Sequence, residues 1–154
     1  MKTKLAFAAL ALGLTFAASA EARVVTLTTQ MKSYSGNGAY VVIYVSDAAG
    51  KVQETLFMAG GKSKYYRHLS NWSKDSGSQS IDGITGASVG SGRSLTVKVD
   101  IADALIDAGY QIRLDSSVED MSDKPNDVVV PLVSTSSGKP ASGRGYVKSF
   151  QFDM

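Results

Sequence analysis

The sequence of 154 residues contains no cysteine, one histidine, one tryptophan and three prolines. Without cysteine the chain forms no disulfide, attaches no c-type haem, carries no lipid-modified cysteine and offers no thiolate to a metal. A single histidine without cysteine also argues against a zinc or copper centre. The stability of the protein therefore rests on packing alone.

The chain also lacks an apolar run long enough to cross a bilayer, which takes about 20 residues. Its longest apolar stretch, Leu5–Phe16, follows two lysines and precedes the small residues Ala18–Ala20. This order of basic, apolar and small residues is typical of a secretory signal peptide. We predict a signal peptide over residues 1–20, with cleavage after Ala20 or, as a second possibility, after Ala22. The mature protein is expected to be exported and not membrane-embedded.

A surplus of either charge is absent from the predicted mature chain. Removing residues 1–20 takes away two of the 16 basic residues and none of the 14 acidic ones, so the two counts become equal at 14. Proteins that bind nucleic acid depend on a basic patch that displaces counterions, and this class is therefore excluded. The remaining residues, 21–154, match the usual size of one domain with its own core.

Short apolar runs separated by glycine, asparagine, aspartate and serine dominate this domain, a pattern typical of β-sandwiches and barrels. The run at 39–45 is apolar on both faces and is predicted to be the central strand. Residues 101–108 fit either one helical turn or an irregular crossover. We predict an all-β fold, a single β-sandwich of immunoglobulin or fibronectin type with one short helix and about seven strands, near residues 23–31, 39–45, 51–58, 95–100, 110–115, 128–133 and 146–152.

Residues 82–88, Asp-Gly-Ile-Thr-Gly-Ala-Ser, follow the pattern D-x-x-[ST]-G-A-[ST]. The pattern resembles the segments that flavin transferases modify, attaching FMN through a phosphodiester to the last hydroxyl, here that of Ser88. Its small residues suit a segment that must enter another enzyme's active site. Ser88 would then be a substrate, activated by the transferase's own base and metal. The alternative is a surface loop whose Thr85 and Ser88 hydroxyls only satisfy turn backbone.

The motif lies in a stretch rich in serine and glycine, residues 73–93, which we predict to be an exposed and mobile acceptor loop. Before it, Tyr65, His68, Leu69 and Trp72 recur with the spacing of one face of a short helix. In one interpretation the ring of Tyr65 or Trp72 stacks on a flavin and His68 handles a proton. In the other, this face simply packs on the sheet.

The same serine also fits a competing motif, because Gly86–Gly90 matches the G-x-S-x-G nucleophile elbow of α/β-hydrolases. An elbow lies between a buried strand and a helix, with its histidine downstream. Here Gly90 and Gly92 disfavour a helix, and His68 lies upstream. The sequence context therefore argues against a hydrolase.

A cluster of five acidic residues begins at the end of the fifth predicted strand and offers the oxygen ligands that calcium prefers. Its spacing lacks the alternating carboxylates and the fixed glycine of an EF-hand loop. We interpret the cluster as a solvated acidic loop; its members are Asp115, Glu119, Asp120, Asp123 and Asp127.

From the strand at 39–45, through residues 64–72, to the motif at 82–88, the chain resembles a family of predicted periplasmic proteins of uncharacterised function. Members are often encoded beside PepSY-type membrane reductases and flavin transferases. They typically continue with a Trp-Asp-Gly turn and a Gly-Tyr strand. This chain keeps Gly109-Tyr110 but has residues 99–101, Val-Asp-Ile, where the tryptophan turn would stand.

The resemblance implies a periplasmic flavoprotein that carries covalent FMN on Ser88 and relays electrons from a PepSY-type or other membrane-bound reductase to an extracytoplasmic acceptor. It implies a redox carrier rather than a catalyst with its own substrate, and a flavin transferase as a partner. Asp82 would engage the transferase or its metal, Thr85 would shape the loop, and Gly86 and Ala87 would allow close approach. The alternative is a cofactor-free β-sandwich that binds a partner protein or a small ligand.

Overall fold

The structure, a computed structural model, describes residues 20–77, 81 and 83–154. These residues contain one α-helix, α1 (Ser70–Ser76), and three 3-10 helices, Ser63–His68, Asp103–Leu105 and Ser134–Ser136. Apart from Ala20, the predicted signal peptide lies outside them. The strands are β1 (Ala22–Met31), β2 (Tyr40–Ser46), β3 (Val52–Ala59), β4 (Ile84–Gly86), β5 (Ser94–Ala102), β6 (Gln111–Ser117), β7 (Lys124–Pro131), β8 (Ala141–Ser142) and β9 (Val147–Asp153).

The strands form two sheets that pack face to face. The first sheet has the order β5-β1-β9-β8 and the second the order β4-β3-β2-β6-β7. Neighbouring strands are antiparallel, except for β3 and β4, which are parallel. Buried side chains from both sheets, among them Leu27, Ile43 and Phe150, form one core between them. The predicted all-β sandwich with one short helix is confirmed.

β2 occupies the centre of the five-stranded sheet, as its continuous apolar sequence predicts. Val41, Ile43 and Val45 point into the core between the sheets. Val42 and Tyr44 point to the opposite face, where the 3-10 helix Ser63–His68 and α1 cover them. Because side chains alternate along a strand, only a strand covered on both faces can be apolar at every position.

The predicted short helix is divided at Leu69 into a 3-10 helix and α1. The break changes which side chains face the sheet: Tyr66, Leu69 and Trp72 are buried, whereas Tyr65 and His68 are only half-buried. The Trp72 ring packs edge-on against Tyr66, with ring centroids 6.1 Å apart. For Leu69 and Trp72, the interpretation in which this face packs on the sheet is therefore correct.

The segment around the end of β5 answers a question that the sequence left open. From the end of β5, residues 101–108 contain a single 3-10 turn, Asp103–Leu105, rather than an irregular crossover.

The N–H of Asp103 donates a hydrogen bond to the carbonyl of Glu21 at 2.9 Å. Signal cleavage after Ala22 would remove this bond, and cleavage after Ala20 would keep it. Among the described residues, no helix has the length and apolar character needed to cross a bilayer.

Candidate functional site

The last residues of the D-x-x-[ST]-G-A-[ST] motif lie between two positions that are hydrogen-bonded to the five-stranded sheet. β4 pairs with β3, and the carbonyl of Gly86 accepts a hydrogen bond from the N–H of Gly60 at 2.9 Å. Val89 forms a reciprocal bridge with Ala39, with N···O distances of 2.7 and 2.9 Å. Only Ala87 and Ser88 remain between these anchors, and both are exposed.

The predicted acceptor loop over residues 73–93 includes regular structure. That range contains the end of α1 and the whole of β4. Two glycines of this segment permit close packing against β3. A Cβ on Gly83 would overlap the backbone of Thr55 and Leu56, and one on Gly86 would lie 3.0 Å from the Phe57 ring.

Ser88 also lies against Gly38, a glycine just before β2. A Cβ on Gly38 would lie 2.5 Å from the Oγ of Ser88 and 3.1 Å from its Cβ. The hydroxyl therefore lies against the bare backbone of Gly38, while Ser88 as a residue is exposed. Thr85, the other motif hydroxyl, is exposed on β4, where its partner is Met58. Asp82 lies outside the described residues.

Ser88 lies at the edge of a cleft of about 570 Å³, called here the Ser88 cleft. Three segments line it besides Ser88: residues 37–40, residues 62–68 and the β6–β7 connection at 117–123. Its size falls within the range of small-molecule pockets, roughly 300 to 1,000 Å³. The structure thus brings Ser88 together with Tyr65 and His68. Trp72 is fully buried and does not line the cleft.

One wall of the Ser88 cleft is aromatic. The rings of Tyr40 and Tyr65 meet edge to face, with centroids 5.5 Å apart, and Tyr40 meets Tyr66 in the same way at 6.2 Å. Gly60 lets the Tyr40 ring lie directly on the backbone, because a Cβ there would overlap the ring. The Tyr40 hydroxyl accepts a hydrogen bond from the N–H of Lys62 at 3.2 Å. This wall is held by packing that exists before any ligand arrives.

The lining of the cleft also carries carboxylates. Glu119 joins two lining segments, since its Oε1 lies 3.4 Å from the Tyr65 hydroxyl and its Oε2 accepts a hydrogen bond from Asn37 at 2.8 Å. The Nδ1 of His68 lies 3.2 Å from the Oδ2 of Asp123. Asp120 also lines the cleft. The cleft therefore combines an aromatic wall with acidic lining residues, and Ser88 stands at its edge.

The prediction of a solvated acidic loop is wrong for two of its five members. Asp115 is fully buried and accepts hydrogen bonds from Tyr44, from the N–H of Trp72 and from the N–H of Asn126, at 3.2, 2.8 and 2.8 Å. Burial raises the pKa of Asp115, and these hydrogen bonds lower it by less. Asp127 is also buried. Among the described residues, no group of three or more acidic or histidine side chains is arranged to hold a metal ion.

The local structure around Ser88 does not have the form of a nucleophile elbow. Ser88 is followed by the bridge residue Val89 and by a turn that leads into β5, so no helix begins after it. His68 does line the same cleft despite preceding Ser88 in the chain. Its ring nitrogens face Asp123 and the Nε of Arg67, at 3.2 and 3.4 Å.

Comparison with known proteins gives one match. A family model described as "Predicted periplasmic protein (DUF2271)" matches residues 22–149, from the first residue of β1 into β9. The match covers both sheets and every segment that lines the Ser88 cleft. No curated protein and no solved structure matches the chain.

Proposed function

We propose that this chain, which belongs to the DUF2271 family of predicted periplasmic proteins, is a periplasmic electron carrier with FMN attached covalently to Ser88. A flavin transferase makes the attachment after export. A PepSY-type or other membrane-bound reductase supplies electrons, and an extracytoplasmic acceptor receives them. Covalent attachment suits a compartment in which lost cofactor is not replaced from the cytoplasmic pool.

The observation that carries this proposal is the position of the Ser88 hydroxyl, on an exposed two-residue span at the edge of the cleft. A transferase can reach it, since the neighbouring motif residues Gly86 and Ala87 present almost no side chain. A flavin bound at this point has a cleft of suitable volume within reach. The residues present therefore fit the group.

The attachment step belongs to the transferase and balances with a flavin dinucleotide as donor. The Oγ of Ser88 forms a bond to the phosphorus next to the riboflavin, the anhydride P–O bond breaks and AMP leaves. The hydroxyl proton passes to the transferase's base. In this step Asp82 engages the transferase or its metal, and Thr85 fixes the approach to Ser88 through its place in β4.

Bound FMN supplies transfer of one or two electrons, and the protein supplies its binding and orientation. Ser88 fixes one end of the group. Tyr40 and Tyr65 provide an apolar surface, and Glu119 provides hydrogen-bond acceptors. His68 is a titratable side chain in the same cleft, at the position where a proton could be exchanged.

Co-expression of the full chain with a flavin transferase and an FAD supply tests the proposal. We expect a yellow protein whose absorbance survives denaturation and whose intact mass is higher by one FMN phosphodiester group. A colourless protein of unmodified mass would contradict the proposal. A small ligand found in that colourless protein would instead support the cofactor-free binding module.

A further inference from the structure

We propose that the Ser88 cleft binds the uncharged ring system of a flavin without help from the covalent bond to Ser88, and that Tyr65 is the stacking surface. It follows that, without the bond to Ser88, riboflavin binds more tightly than FMN. This inference rests on the proposed function, because it names the part of the cofactor that the cleft is built to hold.

The ring of Tyr65 is fixed before a ligand binds, which is the property that a stacking surface needs. The Tyr40 ring meets it edge to face, with centroids 5.5 Å apart, and the Tyr65 hydroxyl lies 3.4 Å from the Oε1 of Glu119. The ammonium of Lys64 lies 4.8 Å from the Tyr65 ring centroid. Tyr65 lines the cleft and Lys64 does not, so the cleft offers a planar ligand the tyrosine ring rather than the cation.

The polar lining of the cleft suits the donors of a flavin ring. Glu119 presents carboxylate oxygens beside the aromatic wall, and Ser117 lines the same space. A ring N–H of an isoalloxazine needs an acceptor when it leaves water, since a buried donor without a partner is costly. The combination of an aromatic face and nearby acceptors matches a planar heterocycle that carries an N–H group.

The charges that line the cleft oppose a phosphate. Three carboxylates line it, those of Glu119, Asp120 and Asp123, whereas Lys62 is the one lysine or arginine among its lining residues. A phosphate dianion drawn into this space meets net repulsion, which salt screens. When FMN is attached, the covalent bond would hold the phosphate at the exposed Ser88 in spite of this repulsion. When it is free, the same group hinders entry.

Titration of the Ser88→Ala protein with riboflavin and with FMN tests the inference. Calorimetry and the quenching of flavin fluorescence measure the binding. We expect saturable binding of riboflavin, roughly fivefold tighter than that of FMN at low ionic strength, with the difference shrinking as salt is added. On the same Ser88→Ala background, Asp120→Asn removes one of the lining carboxylates. The difference in affinity between riboflavin and FMN should therefore become smaller. Asparagine tolerates the positive φ of 61° at this position.

A matched pair of variants tests the stacking role. On the Ser88→Ala background, Tyr65→Ala should weaken riboflavin binding about tenfold, the usual effect of removing an aromatic stacking partner. Tyr65→Phe keeps the ring and should bind within about twofold of the parent, because it loses only the 3.4 Å contact with Glu119. Circular dichroism of each variant reports whether the fold is retained.

Three results would overturn the inference: no saturable riboflavin binding below about 1 mM, FMN binding at least as tightly as riboflavin, or equal affinities in Tyr65→Ala and Tyr65→Phe. The Ser88→Ala background separates this test from that of the proposed function, because a chain without the hydroxyl accepts no FMN. Riboflavin can thus fail to bind the Ser88→Ala protein although the wild-type chain gains the mass of FMN. Equally, riboflavin can bind although the wild-type chain gains no such mass.

Discussion

Ser88→Ala is expected to lose FMN attachment completely when co-expressed with a flavin transferase. The reason is chemical, because the phosphodiester needs a hydroxyl oxygen and alanine has none. The substitution should leave the fold intact, since Ser88 is exposed and lies outside β4. Ser88→Thr should remain modified, because threonine keeps the hydroxyl. Intact-mass measurement of the purified proteins distinguishes these results.

A matched control lies three residues further along the chain. Ser91 is also exposed, and its hydroxyl accepts a hydrogen bond from the N–H of Tyr34 at 2.7 Å. Ser91→Ala removes the hydroxyl of another exposed serine outside the motif, and it should keep the full FMN mass. If Ser88→Ala still carried FMN, or if Ser91→Ala lost it, the assignment of the acceptor would be wrong.

The second large effect is expected on stability, for Asp127→Asn. The carboxyl of Asp127 is buried and accepts hydrogen bonds from the hydroxyl of Ser116 and from the N–H groups of Gly145 and Val147, the latter two at 2.6 and 3.0 Å. It therefore ties β7 to the start of β9. An amide replaces one acceptor oxygen with a donor, so at least one buried N–H loses its partner.

An unsatisfied buried donor costs about 1 to 3 kcal/mol, and here the new N–H₂ group also faces another donor. We expect the free energy of unfolding to fall by roughly 3 kcal/mol, a large share of the about 5 to 15 kcal/mol typical of a domain. Urea denaturation measures the change. Asp120→Asn, in the exposed part of the same acidic cluster, should change it by less than about 0.5 kcal/mol. Equal effects in the two variants would contradict the assigned role of Asp127.

The sequence predicted the sandwich well because its longer strands show a pattern of apolar residues that is typical of strands. β2 is apolar at nearly every position, and β1 alternates, as their burial patterns require. β4 and β8, with three and two residues, are too short to show a period. They exist because β3 and β9 supply hydrogen-bonding partners. Such pairing depends on the tertiary structure and is invisible in a local pattern.

The residues of the candidate site that belong to a local sequence motif or spacing could be predicted. Those that only tertiary structure brings close to Ser88 could not. The motif identified Ser88, and helical spacing drew attention to Tyr65 and His68, which the structure places in the same cleft. The same spacing also included Trp72, which packs on the sheet, as one of the two interpretations had it.

Three further contributors came only from long-range contacts. Gly38 supports Ser88 across the bridge between Ala39 and Val89, Tyr40 stands at the start of β2, and Glu119 reaches across from the β6–β7 connection. Glu119 had appeared only as a member of an acidic loop. No spacing in the sequence relates them to Ser88.

The most direct test of the account is the mass of one tryptic fragment of this protein purified from its native periplasm. Trypsin cleaves after Lys74 and Arg93, so a single peptide, residues 75–93, contains Ser88. We expect this peptide to carry one FMN group, with fragmentation locating the phosphodiester on Ser88. An unmodified peptide from cells that contain a flavin transferase would contradict the account.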